Sequence, residues 1–576
     1  MGFKIWLTLT ALALLAVSRV GAMTIEEMWK GYDPEALPLD VQVVETSEKD
    51  GITIQKLYLT SEVWKETPVR VYAIYGFPTG KKHLPAVLHI HGGGGAASLE
   101  NVMYWAKKGY ASASFDHMGK QPGRTVYTDW GKVNYTATYG AWGDSPKNDI
   151  YYHAVIASMR MITFLRTQKE VNKDRIGAYG ISYGGTFIWL VGALDKRLKC
   201  VVPIVGAGSA PDQWGDGSYR EWHTLYNSSL YAPMQKCPML FMNASNDFNA
   251  IMDGADYTFN RVNTTKWQAY EVSYNHHFEP TVAADLPLFM DTQLRGGKPW
   301  PKMPVLTVTL GTDGIPVANV KPDMQKYVSV VKVHYNLDVG VMPQARYWRT
   351  VDSQRAKDGK VWNSEMPIWD PAQIVRAYCD VHYRNGIVLS SVVNKFVPTS
   401  LGVPTATLKP QSLIDDFADG NIVDWVWFPA GADPTGTETA GPHLAPSKNG
   451  PDGGWAVGAN NTMIPGRMVV STTKICDPQY LPGDHKHLSF KANGEAGTKI
   501  TIVLYWQYWV PGQTEYKAEV TKPTGPEWAT FQVGIADFKD STGKVLASWK
   551  DLQQLRFEAT YPADKQVTIG RVEWTD

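Results

Sequence analysis

The chain has 576 residues, which is too long for a single hydrophobic core and predicts two to four domains. Its composition, 44% hydrophobic and 19% charged, is typical of a globular protein. Lysine plus arginine and aspartate plus glutamate both number 56, so the formal net charge is zero. Without an excess of basic side chains to neutralise phosphates, this composition argues against a nucleic-acid partner.

The first 22 residues have the pattern of an N-terminal signal peptide. Lys4 provides the positive charge, residues 5–17 form an apolar run, and small residues at 20–22 form a cleavage site. The apolar run is short for a membrane span, although an uncleaved anchor is the alternative. We therefore expect a secreted or periplasmic protein that starts near Met23, with no stable membrane insertion.

Residues 23–298 alternate between short apolar runs and segments with helical periodicity. Helices are predicted at 149–171, 185–191 and 282–294. Strands are predicted at 85–90, 110–115, 174–179, 200–205, 239–242 and 268–273. This alternation is typical of a doubly wound α/β fold with a parallel sheet, and we assign residues 23–298 to one catalytic domain of that kind.

Residues 180–184 spell Gly-Ile-Ser-Tyr-Gly, a G-x-S-x-G pattern between a predicted strand and a predicted helix. In a nucleophile elbow, small residues permit the sharp turn that raises a serine hydroxyl into a cleft. The pattern alone is weak evidence in a chain with 51 glycines. Its position at a strand-to-helix turn makes Ser182 the predicted nucleophile.

A catalytic serine needs a histidine to take its proton and a carboxylate to orient that histidine. In hydrolases with this elbow, the acid and then the base follow the serine along the chain. Asp247 comes just after the strand at 239–242 and is the predicted acid, with a helix N-cap as its alternative role and Asp253 as the fallback acid. His276 follows the last strand and is the predicted base, with the neighbouring His277 as the alternative.

The oxyanion hole of such an enzyme is built from backbone N–H groups. One N–H group is expected from Tyr183, the residue after the serine. The other is expected from the four glycines at 92–95, which follow the strand at 85–90 and allow close approach of the backbone. We predict Gly93 and Gly94 as the donors, although the register could differ by one residue, and a merely flexible turn is the alternative.

Two aromatic-rich loops are expected on the catalytic side of the sheet. Trp142 lies in the first loop, and Trp214 and Trp222 lie in the second. Flat rings suit stacking on sugars but equally form hydrophobic walls or core, and we name these three as candidate substrate-binding residues.

Four cysteines in a chain of this length do not form a disulfide scaffold. Cys200 and Cys237 precede or open neighbouring predicted strands, so a bridge between them is conceivable in an oxidising compartment. Two buried free thiols are the preferred interpretation. Cys379 and Cys476 belong to different predicted domains and are expected to be unpaired.

Two β-rich regions follow the predicted catalytic domain. Strands at 305–310, 327–335 and 375–383 predict an immunoglobulin-like or fibronectin-like β-sandwich over residues 299–405. Further strands predict a third domain over residues 411–576, at 488–492, 498–506 and 568–574.

The two ends of the third domain, at 413–417 and 572–574, resemble a galactose-binding-like jelly roll, the fold of many carbohydrate-binding modules. Aromatic residues alternate at 505–509, so one face of that strand is a candidate glycan platform, with core packing as the safer interpretation. A calcium site of the kind found in such jelly rolls is a weaker expectation, and its candidate ligands are Asp415, Asp416 and Asp576.

With an elbow, a glycine loop, an acid and a base in order, residues 23–298 resemble the α/β-hydrolase superfamily. The Gly-Ile-Ser-Tyr-Gly-Gly elbow and the Asn-His-His turn at 275–277 resemble the acetyl xylan esterase-like and dienelactone hydrolase-like groups. Dienelactone hydrolases have a cysteine where this chain has Ser182. The elbow is also similar to that of prolyl oligopeptidase-like peptidases, but the residues before His83 leave no room for their propeller. X-prolyl peptidase-like enzymes and cocaine esterase-like enzymes share a C-terminal jelly roll but have a helical insertion that is not evident here.

The resemblance implies a secreted serine esterase that removes acetyl groups from a polysaccharide. It implies an acylated carbohydrate as the substrate partner and no cofactor. No spacing of His, Cys or Glu in the sequence indicates a catalytic metal. Two alternatives remain, a secreted serine peptidase or amidase with the same triad and a non-catalytic glycan-binding protein with a vestigial hydrolase domain.

Overall fold

The computed structural model describes residues 23–117, 145–276, 280–338, 340–427, 443–462, 464–506 and 512–576. The predicted signal peptide, Trp142 and His277 lie outside these residues. No helix in the described ranges is long and apolar enough to cross a membrane.

A nine-stranded sheet organises the N-terminal half of the chain, in the order β1-β2-β3-β5-β4-β6-β7-β8-β9. The strands are β1 (Gln42–Lys49), β2 (Ile52–Trp64), β3 (Thr67–Pro78), β4 (Leu84–Ile90), β5 (Ala111–Phe115), β6 (Val171–Ile181), β7 (Cys200–Ile204), β8 (Met239–Ala244) and β9 (Lys266–Glu271). From β5 to β9 all neighbouring strands are parallel. The predicted strands of this half are therefore present, each within a few residues of its expected bounds.

The sheet is mixed rather than parallel throughout, which corrects the predicted parallel sheet. β1, β2 and β3 form antiparallel hairpins, and β3 pairs antiparallel with β5. Both hairpin loops have two central residues with positive φ, at 50–51 and 65–66, which matches the right-handed twist of the flanking strands. The apolar-run criterion misses β1 because its eight residues are all exposed.

Helices cover both faces of this sheet, as an α/β-hydrolase-like fold requires. They are α1 (Ile25–Trp29), α2 (Leu99–Lys107), α3 (Ile150–Thr167), α4 (Tyr183–Leu194), α5 (Gly217–Tyr226), α6 (Ser228–Tyr231), α7 (Met252–Asn260), α8 (Pro280–Ala283) and α9 (Asp285–Arg295). The buried residues of α3 and α4 share one core with one face of the sheet. Those of α9 and Trp105 of α2 belong to a second core on the other face.

The described strands of the C-terminal half form four antiparallel sheets. Between 305 and 396 lie β10 (Val305–Leu310), β11 (Pro316–Lys321), β12 (Val328–Leu337), β13 (Arg349–Asp352), β14 (Gln354–Arg355), β15 (Trp362–Glu365), β16 (Val375–Tyr383), β17 (Val388–Ser390) and β18 (Asn394–Phe396). They form a four-stranded sheet and a five-stranded sheet that share one hydrophobic core.

The remaining strands form a six-stranded and a four-stranded sheet around a separate core. They are β19 (Leu413–Asp415), β20 (Leu444–Ser447), β21 (Ala456–Ala459), β22 (Arg467–Thr472), β23 (His487–Asn493), β24 (Lys499–Trp506), β25 (Thr514–Thr521), β26 (Ala529–Gly534), β27 (Leu552–Thr560) and β28 (Thr568–Thr575). β19 pairs with β28, so the first and last strands of this region lie side by side.

The middle region packs directly against the edge of the large sheet. The Ser390 hydroxyl accepts a hydrogen bond from Tyr270 N at 2.8 Å, and Gln268 Nε2 donates to Ser391 O at 2.5 Å. Val388 N donates to the fully buried Asp285 of α9 at 3.0 Å. The first two bonds place β17 against the outer edge of β9, where Tyr270 N would otherwise lack a partner.

All four cysteines are free and buried. Cys200 Sγ lies 3.6 Å from Met290 Sδ, inside the second core. The preferred interpretation of free thiols is confirmed, and the alternative bridge between Cys200 and Cys237 is not formed.

Candidate active site

Ser182 stands at the turn between β6 and α4 with φ 55° and ψ −117°. A positive φ is uncommon for a residue with a side chain and identifies a strained turn. The turn depends on glycines at both ends. A Cβ on Gly184 would lie 2.0 Å from Ile90 O, and one on Gly180 would lie 2.5 Å from the Gly184 carbonyl. The local sequence therefore permits the elbow because only glycine fits on either side of the serine.

The glycine loop reaches the elbow because β4 pairs in parallel with β6, so that Ile90 lies opposite Gly180. A Cβ on Gly92 would lie 3.2 Å from Ser182 Cβ, and one on Gly93 would lie 2.6 Å from the Tyr183 ring. Gly94 has φ +77° and open space around its Cα. The structure thus places both predicted sources of oxyanion N–H groups, the loop and the start of α4, next to the serine.

Two stacked histidines support the glycine loop. The rings of His91 and His117 lie 3.8 Å apart, and a ring nitrogen of His117 lies 2.8 Å from His91 O. Burial lowers the pKa of His117 well below its ordinary value, so this ring is neutral at physiological pH. These two histidines shape the loop. Both precede Ser182 along the chain, whereas the predicted base follows it.

Asp247 and His276 meet at the carboxyl edge of the sheet. Asp247 follows β8 and His276 follows β9, and these parallel neighbours bring His276 Nδ1 to 2.8 Å from Asp247 Oδ2. The other oxygen, Oδ1, accepts hydrogen bonds from Asn249 N and Ala250 N, both at 2.7 Å. The carboxylate, 1% exposed, is thus held by backbone on one side and faces the imidazole on the other.

The fallback acid does not reach the histidine. Asp253 lies in the first turn of α7 and forms a two-pronged ion pair with Arg346, whose Nη1 and Nη2 lie 3.1 and 2.7 Å from its carboxylate oxygens. These bonds lower the pKa of Asp253 below its ordinary value despite its burial. Asp253 therefore joins the catalytic half of the chain to the middle region.

Within the described residues, no hydrogen bond joins Ser182 Oγ to His276. The structure brings the acid and the base together and places the serine at the same sheet edge, after β6. Catalytic hydrogen bonds are often long in the absence of substrate and tighten in the Michaelis complex. His276 Nδ1 faces the acid, which leaves Nε2 as the nitrogen that can accept the serine proton.

Several residues that sequence reasoning missed connect the acid loop to the base loop. Asn275 Oδ1 accepts from Phe248 N at 3.0 Å, and Asn246 N donates to Tyr274 O at 2.9 Å. The Ser245 hydroxyl accepts from Ser273 N at 2.8 Å. Asparagine and serine next to candidate catalytic residues were the available signal, since their side chains commonly bond nearby backbone.

A segment of the middle region, residues 343–349, supports the acid loop from behind. Asn246 Nδ2 donates to Gln344 O at 3.0 Å and to Arg346 O at 2.7 Å. The third region in turn packs on this segment, since Thr473 Oγ1 lies 3.2 Å from Arg346 O and Arg349 pairs with Asp477. All three regions therefore contribute to the position of Asp247.

The third region also contacts the base loop. Tyr274, two residues before His276, packs in a small apolar cluster with Ala244 and Val426. Tyr274 is 9% exposed and Val426 is 7% exposed, so this contact excludes water.

Trp214 and Trp222 lie near the elbow but are largely buried, at 7% and 5% exposed. Trp214 stacks on His223 at 5.6 Å, and Trp222 packs against Tyr151, which in turn contacts Tyr183. Trp222 lines a cavity of about 180 Å³ beside the elbow helix, whereas Trp214 does not. Of the two candidate tryptophans among the described residues, Trp222 therefore lies on the wall of this cavity.

The predicted calcium ligands of the third region are engaged otherwise. The Asp415 carboxylate accepts from Lys474 Nζ at 2.7 Å and from Trp425 Nε1 at 2.8 Å. Asp576 pairs with His485 at 2.9 Å. Among the described ranges there is no group of three or more His, Cys, Asp or Glu side chains that could hold a metal ion. The calcium expectation is therefore wrong for these residues.

The described part of the strand with alternating aromatics has the core-packing role that the sequence favoured over a glycan platform. Tyr505 is 3% exposed and packs beside Ala345 of the middle region, while Trp506 packs against the core of its own region. Tyr508 and Trp509 lie outside the described residues. For Tyr505 and Trp506, core packing is the observed role.

Taken together, the sheet order, the strained serine turn and the acid–histidine pair define an α/β-hydrolase-like fold. Residues 23–207 match the sequence profile of the acetyl xylan esterase (AXE1) family. This match spans the glycine loop and the elbow, and it ends before the predicted acid and base. The resemblance that the sequence predicted is confirmed for this part of the chain.

A curated relative is YtaP of Bacillus subtilis (strain 168), named "Putative hydrolase YtaP", with 24% identity over 188 residues. The alignment covers 30% of this chain and 58% of YtaP, so the chain spans little more than half the length of that relative.

Similar solved structures include an acetyl xylan esterase from Paenibacillus sp. R4, at 18% identity and a TM-score of 0.40. That match covers 45% of this chain and 91% of the other. Acetyl xylan esterase 1 from Thermoanaerobacterium sp. JW/SL YS485 follows at 17% identity and a TM-score of 0.39, covering 45% of this chain and 88% of the other.

Proposed function

We propose that the chain is a serine carboxylic-ester hydrolase with Ser182 as nucleophile, His276 as base and Asp247 as acid. The observation that carries the proposal is the 2.8 Å hydrogen bond between His276 Nδ1 and the buried Asp247 carboxylate. It fixes the tautomer in which Nδ1 holds the hydrogen and Nε2 accepts a proton. The strained turn at Ser182 supports the assignment of the nucleophile.

In this mechanism, His276 Nε2 takes the hydroxyl proton as Ser182 Oγ attacks the ester carbonyl carbon. The N–H groups of Tyr183 and of Gly93 or Gly94 stabilise the negative oxygen of the tetrahedral intermediate. The intermediate collapses to an acyl-enzyme as the protonated His276 gives its proton to the leaving alcohol. Water then attacks the acyl-enzyme with the same histidine as base, which releases the acid and restores the serine.

The proposal extends to the class of ester that the enzyme hydrolyses. We infer an acetyl ester on a polysaccharide, because the family profile that matches residues 23–207 is that of acetyl xylan esterases. Export through a cleaved signal at residues 1–22 belongs to the same proposal, since extracellular polysaccharide is reached only outside the cell. The domains assigned are 23–298, 299–405 and 411–576.

The identities proposed for the C-terminal regions are an immunoglobulin-like or fibronectin-like sandwich and a jelly roll. The paired sheets that share a core in each region support them. Glycan binding by the third region would then have to use surfaces other than Tyr505 and Trp506.

Turnover of 4-nitrophenyl acetate by the mature chain tests the chemistry. Ser182→Ala should lower kcat on the order of 10⁴-fold or more, because the nucleophile and its base act as a unit. Ser400→Ala, at an exposed serine of the middle region, is the matched control and should behave as wild type. A wild-type rate in Ser182→Ala would refute the proposal.

Two further measurements separate the alternative functions. Hydrolysis of aminoacyl amides in preference to acyl esters would indicate a peptidase or amidase. Covalent labelling by a fluorophosphonate that is lost in Ser182→Ala would exclude a vestigial hydrolase, and absence of labelling in wild type would favour it. Acetate release from a panel of acetylated glycans then identifies the sugar.

A further inference from the structure

A cavity of about 180 Å³ lies at the carboxyl edge of the sheet, between the elbow helix and the acid loop. Thr186 of α4 lines one side, one helical turn after Ser182, and Thr186 Oγ1 lies 3.3 Å from Ser182 O. Asn249 of the acid loop lines another side, and its N–H bonds Asp247. The cavity is therefore adjacent to both ends of the proposed triad.

A side chain that lines the cavity has a hydrogen-bond donor without a partner among the described residues. Asn227 Oδ1 accepts from Ser209 N at 3.2 Å and Ser229 N at 2.9 Å, which fixes the orientation of its amide. Asn227 Nδ2 then lies 2.6 Å from His223 Nδ1 and must donate to it. The hydrogen of the neutral His223 ring is therefore on Nε2, which is buried with no partner in the described part of the chain.

The protonation state of His223 is set by burial. Desolvation lowers the pKa of His223 to about 4, so the ring is neutral at physiological pH. The Ser228 hydroxyl, 1% exposed, also lines the cavity and has no partner among the described residues. Buried polar groups are normally satisfied, so both call for oxygen atoms supplied by a ligand or by water.

The shape and charge of the cavity limit the chemical class of ligand that it can hold. Trp222 and Tyr219 supply aromatic wall, which suits the apolar face of a sugar ring. None of the described residues that line the cavity is Lys, Arg, Asp or Glu. A carboxylate would therefore enter without a countercharge, which is costly in a buried site. The volume is below that of a drug-sized pocket and equals about six water molecules, the scale of one small ring.

We propose that this cavity is a subsite for one uncharged, acetylated pyranose ring, with His223 Nε2 donating to a ligand oxygen and Ser228 Oγ bonding another. The proposal rests on the proposed esterase function, because it assigns the sugar that presents its ester to Ser182. It predicts that neutral sugar esters bind and that uronic acid esters with a free carboxylate do not.

Calorimetric binding to Ser182→Ala tests the subsite without turnover. The probes are the methyl glycosides of 2-O-acetyl xylose and 2-O-acetyl glucuronic acid, which each carry a single acetyl group and differ by the carboxylate on the ring. We expect saturable binding of the neutral probe and at least about 10-fold weaker binding of the anionic probe. His223→Phe and Ser228→Ala, each added to Ser182→Ala, should lower the affinity for the neutral probe about 3- to 10-fold. Ser228→Ala removes a hydroxyl with no protein partner, so it keeps the test valid if His223→Phe fails to fold.

His487→Phe in the same background is the matched control, since His487 lies on β23, away from the cavity, and it should leave binding unchanged. Equal binding of the two probes, no effect of either cavity variant, or no saturable binding would overturn the proposal and indicate a cavity that holds only water. If Ser182→Ala binds the neutral probe but the wild-type chain hydrolyses no ester, the esterase proposal fails and the sugar site stands.

Discussion

Asp247→Asn is the substitution that most directly tests the acid–base geometry. Two backbone N–H groups point at Oδ1 of Asp247, from Asn249 and Ala250 at 2.7 Å each. An asparagine would keep its oxygen at this position, because the reverse orientation would leave two buried N–H groups unsatisfied at about 1–3 kcal/mol each. Its Nδ2 would then face His276 Nδ1.

That orientation forces the wrong tautomer on the histidine. Nδ1 would have to accept a hydrogen bond from the amide, and the ring hydrogen would therefore move to Nε2. A protonated Nε2 cannot accept the serine proton. In the serine-protease triad the same change lowers kcat about 10⁴-fold, which corresponds to about 5.5 kcal/mol of transition-state stabilisation. We expect a fall of this size in kcat for 4-nitrophenyl acetate, with little change in KM or in the melting temperature.

Stopped-time assays of the purified variant beside wild type would measure the effect. Asp419→Asn is the control, because Asp419 is exposed in the third region and should leave kcat unchanged. A variant that keeps more than about a tenth of the wild-type kcat would show that Asp247 does not set the histidine tautomer.

Three further predictions follow from the described contacts. Gly93→Ala would bring its Cβ to 2.6 Å from the Tyr183 ring, and the displaced loop should lower kcat about 10²- to 10³-fold in the same assay. Asp149→Asn should exceed wild type in free energy of unfolding by more at pH 8 than at pH 5, because desolvation raises the pKa of Asp149 from 3.8 to about 7. The stability that its neutral form contributes is complete below about pH 4 and is lost as the pH rises through 7, up to about 4 kcal/mol, whereas asparagine keeps the N-cap bond without titrating. Asp477→Ala should destabilise the chain by about 3–5 kcal/mol in denaturant unfolding, because it leaves the partner of a buried ion pair uncompensated.

The controls for these variants are surface carboxylates. Asp419→Asn should show the same pH dependence of unfolding as wild type, and an Asp149→Asn curve that coincides with it would contradict the buried-acid reasoning. Glu519 is 51% exposed and pairs with Lys499, so Glu519→Ala should cost no more than about 1 kcal/mol. If Asp477→Ala unfolds at the same denaturant concentration as Glu519→Ala, the contact with Arg349 contributes little.

The sequence was sufficient where local rules decide the structure. The run at 85–90, the glycines around Ser182 and the apolar helix after it predicted β4, the elbow and α4, because strand burial and tight turns leave local signatures. The positions of Asp247 and His276 followed from a topological rule, since the ends of neighbouring parallel strands meet at one edge.

What escaped prediction depends on contacts between distant parts of the chain. β1 is a fully exposed strand whose partner, β2, decides its structure. Helix α5, which carries Trp222 and His223, was expected to be a loop, although Trp222, Leu225 and Tyr226 have helical spacing and are buried in the same core as α3 and α4. The support of the acid loop by residues 343–349 joins positions about 100 residues apart, and no local pattern encodes it.

The pairing of β19 with β28 makes the third region depend on a strand that lies far along the chain. This region packs on Tyr274 and on residues 343–349, and its six-stranded sheet is incomplete without β28 (Thr568–Thr575). We therefore expect a chain cut before residue 568 to lose fluorophosphonate labelling, although all three residues of the proposed triad are present. Labelling equal to that of the 576-residue chain would show that the acid and base loops keep their positions without the third region.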